Sequence, residues 1–538
     1  MKHSKADRED RIDVAVVLEA STCDDWREAL VGRLGMSQRT VSFTCFVMPS
    51  SQPTQSTQAI GITPHWSLNA YAALDRLLRR RSRHHLPKRT PAASAPHDAR
   101  PLSEANATLA LGGKDYVIYL GDDEPPAWIV NSPREGTLLF RSNDAGLFAR
   151  RVPWLTDLGA GAPTIPFRIH LLEPTLERTT VRRGDIAMRS LSPTANATAL
   201  VLRSADLLIL ELERSRSRSP RPRSDDVTSV PSPIAASLHV SGGASAVSLL
   251  LRRRAASREQ GRSRWHLGYE RISRAHPAAE GPPGALLELL PRANTLTPPD
   301  GVLWADPFPV EDSGNTLIFF EAQRGSEPGI IQVAELLADG RFREPTTVLS
   351  TGSHLSYPNV FKWEGEWWMI PESAEAGELV LYRAVEFPTR WARERVLLRD
   401  VQVVDPTPWQ HDGKWWLFAG RVGPDLHPHE DLLLYSADHL TGDWHPHPLN
   451  PIVSNVTAAR PAGAMLRRSG KWYRPAQDCS IRYGYGLSLL EVLTITDSIY
   501  EERLEASASP AQCSPAVLGL HTLNVSESLV VTDFLLQE

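Results

Sequence analysis

Residues 356–373 read SYPNVFKWEGEWWMIPES, and this stretch is one complete unit of the repeat that decides the fold. The unit consists of an x-Pro pair, an apolar strand, a polar turn with glycine and an aromatic strand. The other copies are WADPFPVEDSGNTLIFFEA (304–322), VDPTPWQHDGKWWLFAG (404–420), ARPAGAMLRRSGKWYRPAQ (459–477) and a shorter GLHTLNVSESLVVTDFL (519–535). Repeats of about 50 residues with internal hairpins are typical of four-stranded propeller blades.

Turn residues inside the copies support the same interpretation. Glu364-Gly365, Asp412-Gly413 and Ser469-Gly470 each separate two strand-like runs, where a tight hairpin needs positive φ. The run WHLGYERI at Trp265 precedes the first copy, and we expect it to pair with the last blade, because closing the ring removes exposed strand edges. The sequence therefore predicts an all-β five-bladed propeller over residues 263–538.

The N-terminal half has a different pattern. Apolar runs at 13–18 and 40–48 flank an amphipathic segment at 24–34, which indicates a βαβ opening. Further elements are expected as a helix over 67–83 and strands over 115–120 and 136–140. We therefore predict a multidomain protein in which residues 11–212 form a Rossmann-like α/β domain with an open, largely parallel sheet.

Two stretches rich in Arg, Ser and Pro interrupt these domains. They predict a disordered insertion near 79–105 and a flexible linker over 213–262, the latter containing a weak helix at 234–254. Arg-Ser repeats also occur in segments that fold on RNA. The absence of interleaved aromatic residues for base stacking favours solvated linkers.

Composition excludes several classes of function. The 58 Lys and Arg nearly balance the 63 Asp and Glu, so no global field favours nucleic acid or an anionic membrane. No apolar run approaches the roughly 20 residues that span a bilayer, and no secretory signal is expected. The four cysteines form no CxxC pair, which argues against a zinc site or a disulfide framework and favours the cytoplasm.

Residues at the starts of the copies are expected to meet at the propeller axis, because inner strands line it. The candidates are Asp306, Tyr357, Asn359, Asp405, Arg460 and His521 in the funnel, Glu372, Gln477 and Asp478 at its rim, and Trp304, Tyr357 and Trp409 as sugar-stacking rings. Simpler roles stay open: Asp306 and Asp405 as turn formers, Glu372 as a solvated carboxylate, Arg460 as their salt-bridge partner.

Histidine pairs in two loops raise the question of a metal site. They are His427 with His429, and His445 with His447. Intervening prolines indicate irregular surface loops, so we expect neither a metal site nor a cofactor.

The pattern ADPF, then YP, then VDP resembles the five-bladed propellers of glycoside hydrolase family 43. The resemblance implies that Asp306 is the general base and that Asp405 tunes the pKa of the acid. The family acid opens blade four in Glu-Gly-Pro, where this chain has Arg460-Pro461. Arg stays protonated and cannot donate that proton, so Glu372 is the remaining candidate, while Arg460 suits a phosphate or carboxylate.

A closer resemblance rests on seven segments of the chain: WADPF, SYPNVF, PES, VDPT, ARPAG, RPAQDCSIRYGYGL and HTLN. Together they resemble the N-terminal propeller domain of glucosamine inositolphosphorylceramide transferases and its bacterial relatives. The N-terminal half more distantly resembles a formyltransferase domain, through DVAVVLEAS, DYVIYLGDD, GTLLFRSND and RRGDIAMRS. That family has a catalytic His near the position of Arg141, and the HxSLLP loop and G-x-G-x-x-G are absent, which favours a structural or ligand-binding role.

These resemblances favour an enzyme of glycosyl transfer in cell-surface glycan or glycolipid synthesis. A sugar, nucleotide sugar or glycolipid would bind in the funnel. Two alternatives stay open: a non-catalytic glycan-binding or scaffold protein in a polysaccharide assembly complex, and a family 43-like hydrolase. Transfer is favoured over hydrolysis because the hydrolase acid of blade four is missing.

Overall fold

A computed structural model describes residues 11–19, 33–34, 41–48, 100–121, 123–142, 145–146, 162–175, 177–188, 193–216, 263–273, 281–422 and 429–537. The chain divides into two compact units, residues 1–257 and 258–538, which are described separately. Several predicted features lie outside the described residues: most of the helix at 24–34, the helix at 67–83, the insertion up to residue 99, the linker after residue 216 with its helix at 234–254, and His427.

The first unit contains an eight-stranded sheet. Its elements are β1 (Ile12–Glu19), β2 (Val41–Met48), β3 (Arg100–Pro101), α1 (Glu104–Leu111), β4 (Tyr116–Tyr119), α2 (Ala127–Val130), β5 (Gly136–Ser142), β6 (Ala145–Gly146), β7 (Thr164–Leu172), β8 (Arg178–Ala187) and α3 (Pro193–Arg216). The order β3-β2-β1-β4-β5 is parallel throughout, and β7 and β8 extend it with antiparallel pairing. The four predicted strands are confirmed, whereas the antiparallel edge was not foreseen.

Both faces of this sheet bury apolar side chains. One face packs Leu138 and Phe140 of β5 with Leu208 of α3, and the other packs Leu139 with Leu111 and Ile129. Helix α3 continues into the segment predicted as linker, and β3 and the start of α1 lie in the last part of the predicted insertion. The Rossmann-like, formyltransferase-like assignment of this unit stays a prediction. None of the described helices is long and apolar enough to span a bilayer.

The second unit is a five-bladed propeller, as predicted. Blade one is β11 (Val302–Asp312), β12 (Asn315–Arg324), β13 (Ile330–Glu335) and β14 (Thr346–Leu349); blade two is β15 (Ser356–Trp363), β16 (Glu366–Glu372), β17 (Glu378–Glu386) and β18 (Arg390–Arg399); blade three is β19 (Val403–His411), β20 (Lys414–Arg421), β21 (Asp431–Ala437), β22 (His445–Pro446) and β23 (Val453–Ser454); blade four is β24 (Leu466–Arg468), β25 (Lys471–Asp478), β26 (Gly486–Ile495) and β27 (Tyr500–Ala508).

Blade five combines the two ends of the propeller sequence. It contains β9 (Ser263–Arg271), β10 (Asn294–Leu296), β28 (Val517–Gly519), β29 (Leu523–Val525) and β30 (Leu529–Gln537). The second unit also has four short helices, namely α4 (Gly284–Leu287), Leu290–Arg292, Ala374–Ala376 and Pro510–Gln512. Strand β9 pairs antiparallel with β30 along its whole length. The predicted closure is therefore confirmed, and both of these strands gain a partner that they would lack in an open arc.

The hairpins that join the two inner strands of blades one to four follow the predicted turn chemistry. Both central residues have positive φ in the turns at Ser313-Gly314, Glu364-Gly365, Asp412-Gly413 and Ser469-Gly470. This is the type I′ arrangement, whose twist matches that of the flanking strands. Aromatic residues of the second strands, such as Trp368, Trp415 and Trp416, are buried and pack between blades.

We predict that Gly268→Ala destabilises the propeller at its closure. A Cβ added to Gly268 would lie 2.4 Å from Cε2 of the buried Phe534, which itself belongs to the closing strand β30. Overpacking of this kind costs about 1–3 kcal/mol of unfolding free energy. Urea denaturation of the parent and the variant measures this loss of unfolding free energy.

The matched control is Gly284→Ala, where the nearest atom, Cβ of Ala506, would lie 3.6 Å away. Both variants change the entropy of the unfolded chain alike, so the difference between them isolates the clash. Equal unfolding free energies for the two variants would contradict the closure.

Candidate functional site

Three equivalent residues mark the inner ends of blades one to three. Asp306, Tyr357 and Asp405 each have positive φ, between 45° and 52°. Each stands before a proline, where the ladder to the second strand shifts register and forms a bulge. Left-handed backbone costs a non-glycine residue of the order of 1–3 kcal/mol, and such residues concentrate at functional sites.

These bulges turn backbone N–H groups towards carboxylates of the preceding blade. The N–H of Asp306 donates to Oδ2 of Asp533 at 2.9 Å, and the N–H of Tyr357 donates to Oδ2 of Asp306 at 3.2 Å. The N–H of Asp405 donates to Oε2 of Glu372 at 3.3 Å. Carboxylates of blades five, one and two therefore tie the inner ends of neighbouring blades together.

Arg460 of blade four closes the next part of the axis by a two-pronged ion pair with Asp405. Its Nε donates to Oδ2 of Asp405 at 2.5 Å, and its Nη2 donates to Oδ1 at 3.2 Å. Nε2 of Gln477 also donates to Oδ2 of Asp405, at 3.1 Å. Arg460 is therefore the salt-bridge partner of Asp405, the simpler of the two roles that the sequence left open.

Aromatic rings cover this ion pair. The guanidinium of Arg460 lies 4.7 Å from the ring centre of Tyr483, and the ring of His429 stacks with that tyrosine at 5.1 Å while its Nδ1 lies 3.1 Å from Nη1 of Arg460. Tyr483 also meets His521 edge-on, and His521 stacks on Trp265 at 4.0 Å. Tyr483 is 37% exposed.

The carboxyl of Glu372 is held in its protonated form. Burial is the main cause, and the nearby negative charge of Asp405 adds to it, while Arg460, 3.9 Å away, acts in the opposite direction. Together these effects raise the pKa of Glu372 to about 8. A carboxyl that keeps its proton at neutral pH can serve as a general acid.

Asp306 has a smaller shift. Burial and the charges of Asp405 and Asp533 raise its pKa, whereas His521 and a 2.8 Å hydrogen bond from Oγ1 of Thr522 lower it, which leaves the pKa at about 6. Asp306 is therefore mostly ionised at pH 7 and Glu372 mostly protonated. The arrangement provides one proton acceptor and one proton donor at the same axis.

Glu321 provides a third buried carboxyl close to the axial carboxyl groups. Burial, then Asp306 and Glu372, raise the pKa of Glu321 well above its usual value. Its Oε1 lies 3.5 Å from Nε2 of His354. Glu321 occupies the same position in blade one as Glu372 in blade two, since the two pair with the residues directly before Asp306 and Tyr357.

Asp306, His521 and Asp533 are the described residues whose types and spacing would suit a metal ion. Oδ1 of Asp533 accepts hydrogen bonds from the N–H groups of His521 and Thr522, both at 3.0 Å, and its Oδ2 accepts from Asp306. Although burial favours the neutral ring, Asp533 and Asp306 raise the pKa of His521. We assign this trio to ion pairing and hydrogen bonding because both oxygens of Asp533 are already engaged.

Other predicted residues lie at the axis in supporting positions. Tyr357 is wholly buried, and its hydroxyl contacts Oγ1 of Thr407 at 2.8 Å and accepts from the N–H of Gly463 at 2.6 Å. Asn359 is buried, and its Nδ2 has no hydrogen-bond partner among the described residues. Asp478, partly buried, accepts from the N–H of Ser480 at 2.9 Å.

The prediction that Trp304 and Trp409 offer ring faces to a sugar is wrong. Both rings are buried in the layers between strands: Trp304 packs on Phe320 at 5.2 Å, and Trp409 stacks on His411 at 4.4 Å. The bulge turns the residue before proline towards the axis, and residues outside the bulge keep the alternation that buries them between blades. Tyr357 is at the axis, but its buried ring packs edge-on against Phe308 and offers no open face.

Sequence reasoning missed four axial residues, namely Glu321, Tyr483, Thr522 and Asp533. Repeat register would have found Glu321, because it aligns with Glu372. Asp533 stands on the second strand of the shortest copy, where that register is weakest. Tyr483 stands in the motif RPAQDCSIRYGYGL, but it lies in the connection between β25 and β26, where the repeat register assigns no axial position.

A family model described as "Glucosamine inositolphosphorylceramide transferase 1, N-terminal" matches residues 294–513. Relatives of that name include a protein of Oryza sativa subsp. japonica, 38% identical over 205 residues, and one of Arabidopsis thaliana, 34% identical over 203 residues. The alignments cover 37% of this chain, but only 27% and 26% of the rice and Arabidopsis proteins. The expected similarity to this domain is thus confirmed for part of the propeller, whereas the expectation of bacterial relatives stays a prediction.

Solved structures with a similar fold include glycoside hydrolases. One is a family 117 enzyme produced by the marine bacterium Zobellia galactanivorans, with 13% identity and a TM-score of 0.33 over 50% of this chain and 90% of that chain. Another is an exo-β-1,3-galactanase from Clostridium thermocellum, with 15% identity and a TM-score of 0.32. This similarity covers 38% of this chain and 50% of the galactanase chain. These are similarities of fold.

Proposed function

We propose that the propeller handles a sugar at its axis and takes part in glycosyl transfer to a glycolipid acceptor. The observation that carries this proposal is the pair of axial carboxyls whose pKa values lie on either side of neutrality, about 6 for Asp306 and about 8 for Glu372. Environments that push two carboxyls apart in this way are the usual basis for separate acid and base roles.

In the proposed reaction, Asp306 takes the proton of the acceptor hydroxyl as its oxygen attacks the anomeric carbon. The bond from that carbon to the leaving group breaks, and Glu372 gives its proton to the leaving oxygen. Arg460 does not replace the missing acid of blade four. It instead neutralises Asp405, because a second ionised carboxylate at this place would oppose the charge that Asp306 must carry.

The names of the similar plant proteins support transfer and suggest the substrates. They are called glucosamine inositolphosphorylceramide transferases, and the matched region lies in the propeller. The chain spans about a quarter of their length, so the donor and acceptor are part of the proposal. With water in place of the acceptor, the same pair of carboxyls would catalyse hydrolysis, and the reaction product distinguishes the two.

A second candidate is a glycan-binding protein without catalysis. The observation that favours it is the burial of Asp306, Glu372 and Asp405, which are 3%, 7% and 1% exposed and each accept hydrogen bonds from another blade. Structural carboxylates have these properties too. The two candidates differ in whether the proton of Glu372 is needed for product formation or only for the shape of the axis.

We predict that Glu372→Gln abolishes most of the transfer while sugar binding persists. The amide keeps the acceptor oxygen for the N–H of Asp405 but has no acidic proton, and loss of a general acid lowers turnover by about 10²–10⁴-fold. The full chain is incubated with nucleotide-activated sugars, including glucosamine, and inositolphosphorylceramide, and labelled product is counted. Glu366→Gln, on the exposed end of the same strand, is the control.

Turnover of Glu372→Gln within threefold of the parent would contradict the acid role. Binding of a sugar by both proteins with no product from either would favour the glycan-binding candidate.

The same carboxyls predict a pH dependence of stability. Glu372 and Asp306 lose their protons near pH 4 in the unfolded chain but near pH 8 and pH 6 in the folded protein. The folded state then binds more protons between these values, so the free energy of unfolding falls as pH rises from 5 to 8.5. Removing the Glu372 carboxyl should reduce that fall by about 4 kcal/mol, since each pH unit between 5 and 8 contributes about 1.4 kcal/mol.

Urea denaturation of the parent, Glu372→Gln and the control Glu366→Gln at pH 5 and pH 8.5 measures this effect. The control should follow the parent. If Glu372→Gln also loses as much stability as the parent between the two pH values, the carboxyl is not held protonated.

A further inference from the structure

The second strands of blades five, one and two each bring an acidic residue to the axis. Asp533 of blade five and Glu372 of blade two each accept the N–H of the left-handed residue of the next blade. By the same pattern, Glu321 of blade one would accept the N–H of Tyr357. That N–H donates to Oδ2 of Asp306 instead, at 3.2 Å. Glu321 is therefore the acid of this set that does not join two blades.

The carboxyl of Glu321 is buried, with 7% of the residue exposed, and it has no hydrogen bond to any residue that the structure describes. The nearest donor is Nε2 of His354, at 3.5 Å, whereas hydrogen bonds of this kind span about 2.7–3.2 Å. Nδ1 of His354 accepts from the N–H of Gly329 at 3.0 Å, and burial lowers the pKa of the ring, so His354 is neutral. Glu321 thus lacks both an ion pair and a hydrogen bond, which is rare for a buried polar group.

The loops beside Glu321 form a fixed wall. The N–H of His354 donates to Oε2 of Glu375 at 2.7 Å, and the N–H of Leu355 donates to the carbonyl oxygen of Gly329 at 3.0 Å. A Cβ added to Gly329 would lie 2.7 Å from Oε1 of Glu321 and 2.6 Å from the carbonyl oxygen of Leu355. Glycine at this position therefore leaves just enough room for the carboxyl, and the wall already uses its own polar groups.

The other surroundings of Glu321 are the axial carboxyls. After burial, the charges that raise its pKa most are those of Asp306 and Glu372. The raised pKa favours the protonated carboxyl, which has one O–H donor and one carbonyl acceptor. A sugar hydroxyl is complementary because it also donates and accepts. Carboxyls outnumber the cations Arg460 and His521 at this place, so a phosphate group would be repelled.

We infer that Glu321 is a substrate-contacting residue of the axial site and that its carboxyl hydrogen-bonds a hydroxyl group of the bound sugar. This inference rests on the proposed function and adds a residue to it. Glu372 already accepts a hydrogen bond from the next blade, whereas Glu321 has its full hydrogen-bonding capacity left for a ligand. Its role is to hold and orient the sugar beside Asp306 and Glu372, and the part of the substrate that it contacts is neutral.

The test is titration calorimetry of the full chain with glucosamine, both free and nucleotide-activated. Glu321→Met keeps the length of the side chain but removes its hydrogen bonding, and we expect it to weaken binding about tenfold or more, because a hydroxyl of the bound sugar loses its partner. Glu321→Gln keeps one donor and one acceptor, so its affinity should stay within about threefold of the parent. The control is Glu327→Met, an exposed acid of the connection that follows β12, and it should bind like the parent.

Melting temperatures without sugar provide the second readout. Glu321 has no hydrogen bond to lose, so Glu321→Met should melt no lower than the control Glu327→Met. A purely structural carboxyl would instead lower the melting temperature when it is replaced by methionine.

The outcomes separate this inference from the proposed function. Equal binding of sugar by the parent and Glu321→Met overturns the inference and leaves the proposed function standing. Weaker binding by Glu321→Met together with a melting temperature clearly below that of Glu327→Met also overturns it, because the carboxyl then supports the fold. If the parent binds neither form of glucosamine, the proposed function fails and the inference fails with it.

Discussion

The hydrogen bonds between blades at the propeller axis constrain the rest of the site. Asp533, Asp306 and Glu372 each accept an N–H group from a residue of the next blade, and the donors Asp306, Tyr357 and Asp405 reach them only because their backbone is left-handed before a proline. At the axis itself, neighbouring blades therefore meet through carboxyl groups. Carboxyls in such a place cannot all be ionised, since they are buried and close to one another.

The charge distribution at the axis follows from that constraint. Arg460 neutralises Asp405, and His521 lies between Asp306 and Asp533, whereas the axial carboxyls of Glu372 and Glu321 have raised pKa values because of burial and neighbouring carboxylates. This chain has Arg460 at the start of blade four, and the proposed function assigns the role of proton donor to Glu372 of blade two, whose pKa is raised.

Much of the fold could be predicted because each copy of the repeat carries recognisable turn and strand residues. The x-Pro pairs, the Gly turns and the aromatic second strands specify blades one to four, and closure by the strand at Trp265 follows from the need to cover sheet edges. The side-chain directions were harder, because the bulge turns only the residue before the proline towards the axis, while Trp304 and Trp409 keep the alternation that buries them between blades. Tyr483 and Asp533 were beyond reach, since their positions depend on how distant loops and the shortest copy meet at the axis. In the first unit, the strands were readable, whereas the antiparallel edge depends on the register of β7 and β8.

The protonation state of Glu372 is the point on which the proposed chemistry depends, and carbon NMR of glutamate side chains measures it directly. The full chain, labelled at the glutamate carboxyl carbons, is titrated from pH 4 to pH 9.5, and the resonance that is missing from Glu372→Gln is thereby assigned. We predict that this carboxyl titrates near pH 8, where burial and Asp405 place its pKa. A carboxyl of Glu372 that is already ionised below pH 5.5 would contradict the account.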